Sequence, residues 1–512
     1  MKPKLIDATK VPDLIPDGAT LCLGGGGAGH AVPDTLIESL GRSFVERQRP
    51  RDLMILHPCG IGDNDQRGLN HLAHAGLARR VIGGFWGNAP SMVTLAQDEQ
   101  LEGYNFPQGV LTHLVRATAG GRPGVLTTTG LHTFIDPDLE GGKLNSRTTE
   151  DLVVRVKIDG KLYLLYKSIP FHYAFIRGTS LDRHGNLTME DEVATFAMLS
   201  IAQAAKVNGG TVIAQVKRIT KEHATPERVK VPAALIDYVV VEPERGMTFI
   251  TQHDPAMIDR EAPSHETINI DGIKKVISRR AALDVRPGMF LNVGYGMADG
   301  VPIVLRDEGK LDEVTFFIEQ GAVGGIPTTG LNFGAMYNPH AILDDGYQFD
   351  FFHGGGLDCA FLGFAQVDQY GNVNSSKFGN KLTGCGGFID ISQNANNVVF
   401  CGSFAVKAQM DVVDGGLHIE YPGKYKKFIS DVEQVTFSGP YAVEQQKPIL
   451  YVTERAVFEL TPKGLLLKEI APGVDIQTDI LELMEFEPLI PQAPALMDKR
   501  CFTDVPLFEE DV

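Results

Sequence analysis

Residues Val314–Gly325 read V-T-F-F-I-E-Q-G-A-V-G-G. An apolar run the length of a strand delivers one carboxylate, Glu319, into a bend rich in glycine. Residues Leu53–Asp63, L-M-I-L-H-P-C-G-I-G-D, follow the same plan. Strands this apolar, alternating with helical patterns, imply mostly parallel sheets covered on both faces. The flanking sequence agrees. Thr20–Leu23 reads as a strand followed by glycines, and Leu36, Ile37, Leu40, Phe44 and Val45 fall on one face of a helix that Pro33 can open. Val81-Ile82, Thr211–Val216, Tyr238–Val241 and Val398–Cys401 are further buried runs. The predicted fold class is α/β, built as two related open α/β domains.

A carboxylate at the end of such a strand sits where desolvation raises its pKa while crowded backbone N–H donors lower it. That environment suits a carboxylate nucleophile attacking an activated acyl group. A glutamate that merely ends a strand and caps nearby amides would look the same in isolation.

Composition narrows the field. A chain of 512 residues holds two or more domains. A net charge of −17 disfavours a broad nucleic-acid surface but leaves room for a local basic pocket. Cys22, Cys59, Cys359, Cys385, Cys401 and Cys501 are scattered without a C-x-x-C pair, as expected of a reducing cytosol. No apolar run is long enough to span a membrane, and Met-Lys-Pro-Lys-Leu-Ile-Asp lacks a signal-peptide core. The expectation is a soluble cytoplasmic protein, with neither nucleic acid nor membrane as partner. Glycine is the outlier, 56 residues where about 7% is usual, and it clusters between apolar segments where backbone must approach something closely.

A faint duplication organises the chain. Gly27 precedes Pro33 by six residues, as Gly296 precedes Pro302, and Leu36 and Leu305 follow each proline by three. Each half then carries an Asp-x-x-Gly-Asn turn, L-D-R-H-G-N-L-T at 181–188 and V-D-Q-Y-G-N-V-N at 367–374. The domain break is placed within the polar stretch Glu242–Ser264, running on through a mixed segment to about Ala281, so the expected domains are 1–280 and 281–512. A hairpin over Tyr451–Ile470 and a closing amphipathic helix bearing Val474, Ile480, Leu481 and Met484 complete the reading.

Three patterns mislead. Gly24–Gly29 satisfies G-x-G-x-x-G, but the next strand ends in His57-Pro58 and lacks the acidic residue that holds a ribose. His353-Gly354-Gly355-Gly356 copies a lipase oxyanion loop without any G-x-S-x-G nucleophile. Cys385 lies between glycines, with no base identified for it, and a small buried cysteine is its default reading. Neither H-E-x-x-H nor paired cysteines occur, so no metal site is predicted.

The chain resembles a fused, single-polypeptide family I coenzyme A transferase, most closely the short-chain acyl (acetate/propionate) CoA-transferases. The matching stretches are G-G-G-G-A-G-H-A-V-P-D-T-L, D-Q-R-G-L-N-H-L-A, R-V-I-G-G-F-W-G, Y-N-F-P-Q-G and D-P-D-L-E-G-G-K-L-N in the first half. In the second half they are I-E-Q-G-A-V-G-G-I-P, F-D-F-F-H-G-G-G-L-D, Y-G-N-V-N-S-S-K-F, T-G-C-G-G-F-I-D-I-S-Q-N and V-E-Q-V-T-F-S-G. One departure is Gln320, where the family usually has Asn or Ser. The resemblance implies an α-like and a β-like domain with the active site at their interface. It also implies a homodimer or homotetramer, and coenzyme A as substrate without a permanently bound cofactor.

By the same resemblance, Glu319 attacks an acyl-CoA thioester to give an acyl-glutamyl anhydride and free CoA thiolate. The thiolate then attacks the glutamyl carbonyl, leaving a glutamyl-CoA thioester and releasing the first carboxylate, and an incoming small carboxylate reverses these steps. Each tetrahedral intermediate needs oxyanion donors. The candidates are Gly25, Gly26 and Gly27, and the loop of Gly384, Gly386 and Gly387, with Gly386 foremost. Gln108, in P-Q-G, resembles the family's substrate-side glutamine, although a turn amide accounts for it equally. Phe316, Phe317 and Phe333 read as core residues that can also dry the site. Lys424, Lys426 and Lys427 read as a solvated basic loop, with CoA phosphates the alternative partner. An acyl-CoA hydrolase and a non-catalytic CoA sensor remain the competing functions.

Overall fold

The computed structural model describes residues 2–264, 266 and 268–508. Two sheets organise it. The first contains β1 (Lys4–Leu5), β2 (Thr20–Leu23), β3 (Leu53–His57), β4 (Ala78–Gly83), β5 (Glu102–Asn105), β6 (Tyr173–Leu181), β7 (Thr211–Ile219) and β8 (Tyr238–Val241). Their spatial order is β1-β8-β7-β6-β2-β3-β4-β5, all parallel, with Leu187–Thr188 folding back antiparallel on β6. The second contains β9 (Phe290–Val293), β10 (Thr315–Phe316), β11 (Cys359–Gly363), β12 (Asn397–Cys401) and β13 (Ile449–Val452). β14 (Ala456–Thr461), β15 (Gly464–Ile470) and β16 (Ala495–Leu496) complete it, in the order β10-β9-β11-β12-β13-β14-β15-β16. β13, β14 and β15 form the antiparallel meander that contains the expected hairpin.

Strand residues alternate between two apolar layers, as the pleat requires. On the first sheet, Cys22, Met54 and Ala174 face α3 (Gln108–Ala119) and α4 (Met198–Val207), whereas Leu21, Ile55 and Phe175 face α1 (Asp34–Arg47) and α2 (Pro90–Gln97). On the second, Leu291, Phe361 and Val399 face α5 (Gly272–Ala282) and α6 (Val301–Asp307). Ala360, Val398 and Phe400 face α7 (Asp345–His353) and α8 (Phe388–Asn394). Both sheets are thus covered on both faces.

The duplication is visible in the topology. In chain order, β2, β3, β6, β7 and β8 lie side by side as second-first-third-fourth-fifth, and β9, β10, β11, β12 and β13 repeat that order. After the third strand of each set comes the same turn. Asp182 Oδ1 accepts the N–H of His184 and Asn186, each at 2.8 Å, and Asp368 Oδ1 accepts those of Tyr370 and Asn372 at 3.0 and 2.9 Å. Gly185 and Gly371 occupy the left-handed region, φ +90° and +77°.

Residue 280 falls inside α5, whose Val276, Ile277, Ala281 and Ala282 pack in the second sheet's core. Two expectations change. Val45 points to solvent while Leu36, Ile37, Leu40 and Phe44 are buried, so the buried stripe of α1 is narrower than expected. The closing helix shrinks to Ile476–Asp479 plus a turn at Leu481–Leu483. There Ile480 leaves helical geometry (φ −122°, ψ −68°) to bury itself completely against the second core.

Candidate active site

Glu319 sits just past the carboxyl end of β10, the outer neighbour of β9. In doubly wound sheets the crevice at the carboxyl ends, near the reversal of strand order, is where ligands bind. The strand is shorter than its apolar run: Phe317 N–H still bonds Leu291 O at 2.8 Å, and then the chain turns. Gly321 N–H closes the turn on Ile318 O at 2.9 Å, putting Glu319 and Gln320 at its centre, with Gly321 at φ +109°. A Cβ at Gly321 would lie 2.1 Å from Leu343 O, so only glycine fits.

The glutamate is 8% exposed. Burial pushes its carboxyl above the ordinary value; its own backbone N–H and Asn292 pull it back, and the charge of Asp390 pushes it further up. Asn292, on β9, donates from Nδ2 to Phe317 O at 2.8 Å and reaches Glu319 Oε2 at 3.4 Å. Gln348, on α7, donates from Nε2 to Ile318 O at 3.1 Å. These two amides fix the turn from both sides. The chain is thus built to present a desolvated carboxylate, which ordinary folding would avoid.

The loop Gly384–Gly387 packs against this turn. A Cβ on Gly387 would lie 3.6 Å from Glu319 Cβ, at ordinary van der Waals distance, so the two backbones are neighbours. The Gly387 amide has no acceptor among the described residues. Gly384 N–H goes to Ser376 O at 3.0 Å, and Gly386 N–H goes to Gly84 O at 2.8 Å. Gly386, foremost among the candidate donors, therefore has its amide committed to the first half. The same loop receives Gln108 N–H on Gly386 O at 2.9 Å, while Cys385 N–H bonds Asn105 Oδ1 at 2.9 Å. Gln108 starts α3, is buried, and its Nε2 has no partner among the described residues.

Gly25–Gly27 reach the site through Cys59. A Cβ on Gly26 would overlap Cys59 Sγ. Burial pushes the Cys59 thiol up to about 12, with the charges of Asp345 and Glu319 adding to the shift. Gly26 N–H goes to His30 O at 3.0 Å. The Gly25 amide has no acceptor among the described residues, at φ +86°. The structure therefore brings Glu319, Gly387, Gly386 and Gln108 into one interface, with Gly25–Gly27 behind Cys59 and Gly384 turned back towards Asn105.

The remaining motifs resolve differently. Cys385 is buried, and burial holds its thiol well above the ordinary value. His353 ends α7 and bonds Asp390 Oδ1 at 2.8 Å, so His353–Gly356 is a helix terminus. Phe316 is core, Phe317 meets Phe290 edge-to-face and Phe351 at a tilt, and Phe333 meets Tyr295. Lys427 departs from a solvated loop: it is buried over the Phe364 ring at 4.2 Å, and burial lowers its ammonium to about 8. Asn292 escaped the sequence reading as a lone polar residue in an apolar strand, and Gln348 and Asp390 as polar residues in helices that carry several others. Among the described residues no helix is long and apolar enough to cross a membrane.

A buried, turn-held carboxylate thus packs against a glycine loop that is itself bonded to the first half of the chain. The chain matches the family described as coenzyme A transferase over residues 7–242. Acetate CoA-transferase YdiF of Escherichia coli (strain K12) is 43% identical over 505 residues, covering 98% of this chain and 95% of that protein. Caffeate CoA-transferase of Acetobacterium woodii is 41% identical, covering 98% of each. A crystal structure of acyl-CoA transferase YdiF from E. coli O157:H7, a thioester complex with CoA, matches with TM-score 0.94 at 42% identity, covering 99% of this chain and 97% of that one. The chain belongs to the coenzyme A transferase family. It is a CoA-transferase.

Proposed function

We propose that the enzyme moves CoA between a short-chain acyl-CoA and a free carboxylate by a ping-pong route through a thioester on Glu319. The observation that carries this reading is the Glu319 carboxylate, buried in a tight turn packed against the Gly384–Gly387 loop, where the Gly387 amide has no acceptor among the described residues. Glu319 attacks the acyl-CoA carbonyl and expels CoA thiolate. The thiolate attacks the glutamyl carbonyl of the anhydride, the first carboxylate departs, and Glu319 holds CoA as a thioester. An incoming carboxylate attacks that thioester, and the steps run in reverse. Each oxyanion needs a fixed donor, worth about 3 kcal/mol. Gly387 takes that role in place of Gly386, and Gly25 is the free donor of Gly25–Gly27. Gln108 Nε2 holds the substrate carboxylate. Asn292 and Gln348 keep the nucleophile from swinging away, and burial keeps water from the anhydride.

The names of the relatives, acetate and caffeate CoA-transferase, support carboxylate acceptors. The thioester complex of YdiF supports a covalent CoA intermediate. We read the chain as two units, α-like and β-like, as expected from its duplication. The packing of α5 supports a break ahead of Gly272 in preference to residue 280. A cytoplasmic homodimer or homotetramer is the assembly we propose. A panel of carboxylates incubated with acetyl-CoA tests the reaction. Transfer to small aliphatic acids is expected; CoA release without an acceptor at a comparable rate would favour hydrolysis.

A further inference from the structure

Asp390 lies in the first turn of α8, three residues past Gly387, and is fully buried. Its Oδ2 accepts the Gly109 N–H at 3.0 Å, in the first turn of α3. Its Oδ1 meets His353 Nε2 at 2.8 Å, at the last residue of α7. One side chain thus joins three helix ends, and α3 belongs to the other half of the molecule. The fit is close: a Cβ at Gly109 would lie 2.8 Å from Asp390 Oδ1 and 2.3 Å from the Phe349 ring. That ring comes within 3.5 Å of where a Cβ on Gly387 would lie. Gln108 precedes Gly109 and bonds Gly386 through its backbone, while Gln348, beside Phe349 on α7, holds the carbonyl ahead of Glu319.

We propose that Asp390 is a positioning residue whose two oxygens lock α3 and α7 onto α8, holding the Gln108 amide and the Gly387 N–H at fixed places around Glu319. This inference rests on Glu319 being the nucleophile. The charge of Asp390 also bears on the chemistry, because it adds to the upward push on the Glu319 carboxyl. Glu319 faces Asp390 from α8 and Cys59 from the loop after β3, and Cys59 in turn feels Asp345 of α7. Asp390 faces His353 of α7, and its charge is felt at Tyr166 and Cys385.

The test compares Asp390→Asn, His353→Ala and Glu319→Gln in the full-length enzyme, reading kcat, KM for acyl-CoA and the pH profile. A misplacement of about 1 Å costs on the order of 10²-fold. Asp390→Asn is expected to lower kcat by roughly that factor, with KM for acyl-CoA less affected than kcat. It also moves the acid limb of kcat/KM to lower pH, since losing a neighbouring negative charge eases ionisation of Glu319. A merely structural role would lower activity in proportion to folded protein and leave the limb in place, which would overturn the proposal. If Asp390→Asn fails to fold, His353→Ala decides: it cuts one tether and keeps the charge, so kcat falls with the limb unmoved, and unchanged kcat overturns the proposal. Transfer retained in Glu319→Gln would instead sink the nucleophile assignment. An inactive Glu319→Gln beside an unaltered Asp390→Asn sinks this inference alone.

Discussion

The two halves share a strand order and the turn after their third strand, yet their second strands end differently. Counted from the start of β3 and from Thr315, His57 stands where Glu319 stands. In the first half, burial lowers the imidazole to about 4, and Nδ1 is spent on Cys59 O at 2.9 Å. In the second, a buried carboxylate occupies that step and packs against the loop that ends at Gly387. The glycine loops after the first strands diverge in the opposite sense. Gly296 N–H is closed off by Asp299 Oδ2 at 3.1 Å, whereas His30, at the matching step, has both ring nitrogens unpartnered among the described residues, and the Gly25 amide has no acceptor there either. One frame was used twice, with the carboxylate in the second copy and, among the described residues, unpartnered polar atoms in both: the His30 ring and the Gly25 amide in the first, the Gly387 amide in the second.

The largest effect should come from breaking that asymmetry at its charged end. Glu319→Ala is expected to lower CoA exchange by roughly 10⁴-fold or more, as losing a nucleophile does elsewhere. His57→Asn should cost about 1–3 kcal/mol of stability through its buried partners and leave exchange within about tenfold. Equal losses of exchange would mean that the halves share the chemistry. Next comes the donor side. Gln108→Ala removes one buried amide donor and should lower kcat/KM for the acceptor carboxylate by about 10²-fold, read in steady-state exchange with acyl-CoA saturating.

Two glycines sharpen the comparison further. Gly25 is at φ +86°, and a Cβ there would lie 2.6 Å from Ala31 O, so Gly25→Ala should destabilise by about 2 kcal/mol or more in chemical denaturation. Gly387 has an ordinary φ of −84°, and its nearest contact would be 3.4 Å, so Gly387→Ala should unfold close to the parent midpoint while slowing exchange. The smallest effect is thermodynamic. Because burial raises the Glu319 carboxyl, the native state binds a proton more tightly than the unfolded chain does. Stability therefore falls as pH rises through the window between the ordinary 4.5 and the raised value. Glu319→Gln removes that penalty and should raise Tm at neutral pH, with no gain below the window.

Much of this was legible in the chain. Apolar strands running into glycine bends announced parallel sheets, because a strand buried on both faces has no polar side to show. Glu319 stood out as the one charge closing such a run, and the paired Asp182 and Asp368 turns marked the duplication by side chains that satisfy their own backbone. Hydrogen-bond assignment was not legible. Gly386 and Gly387 are indistinguishable in sequence, and only the position of Gly84 O decides which amide is free. Nor was the side on which α5 packs, since only the structure shows its apolar residues facing the second core. Asp390 lay inside a recognised stretch, but its meaning depends on Gly109 and His353, far away in sequence.

The most direct measurement is peptide mass spectrometry of the enzyme quenched after incubation with acyl-CoA alone. CoA attached to the peptide carrying Glu319, absent from Glu319→Ala and discharged by added carboxylate, is the predicted result. Transfer proceeding at full rate with no adduct on that peptide, or with the adduct on another residue, would contradict the account.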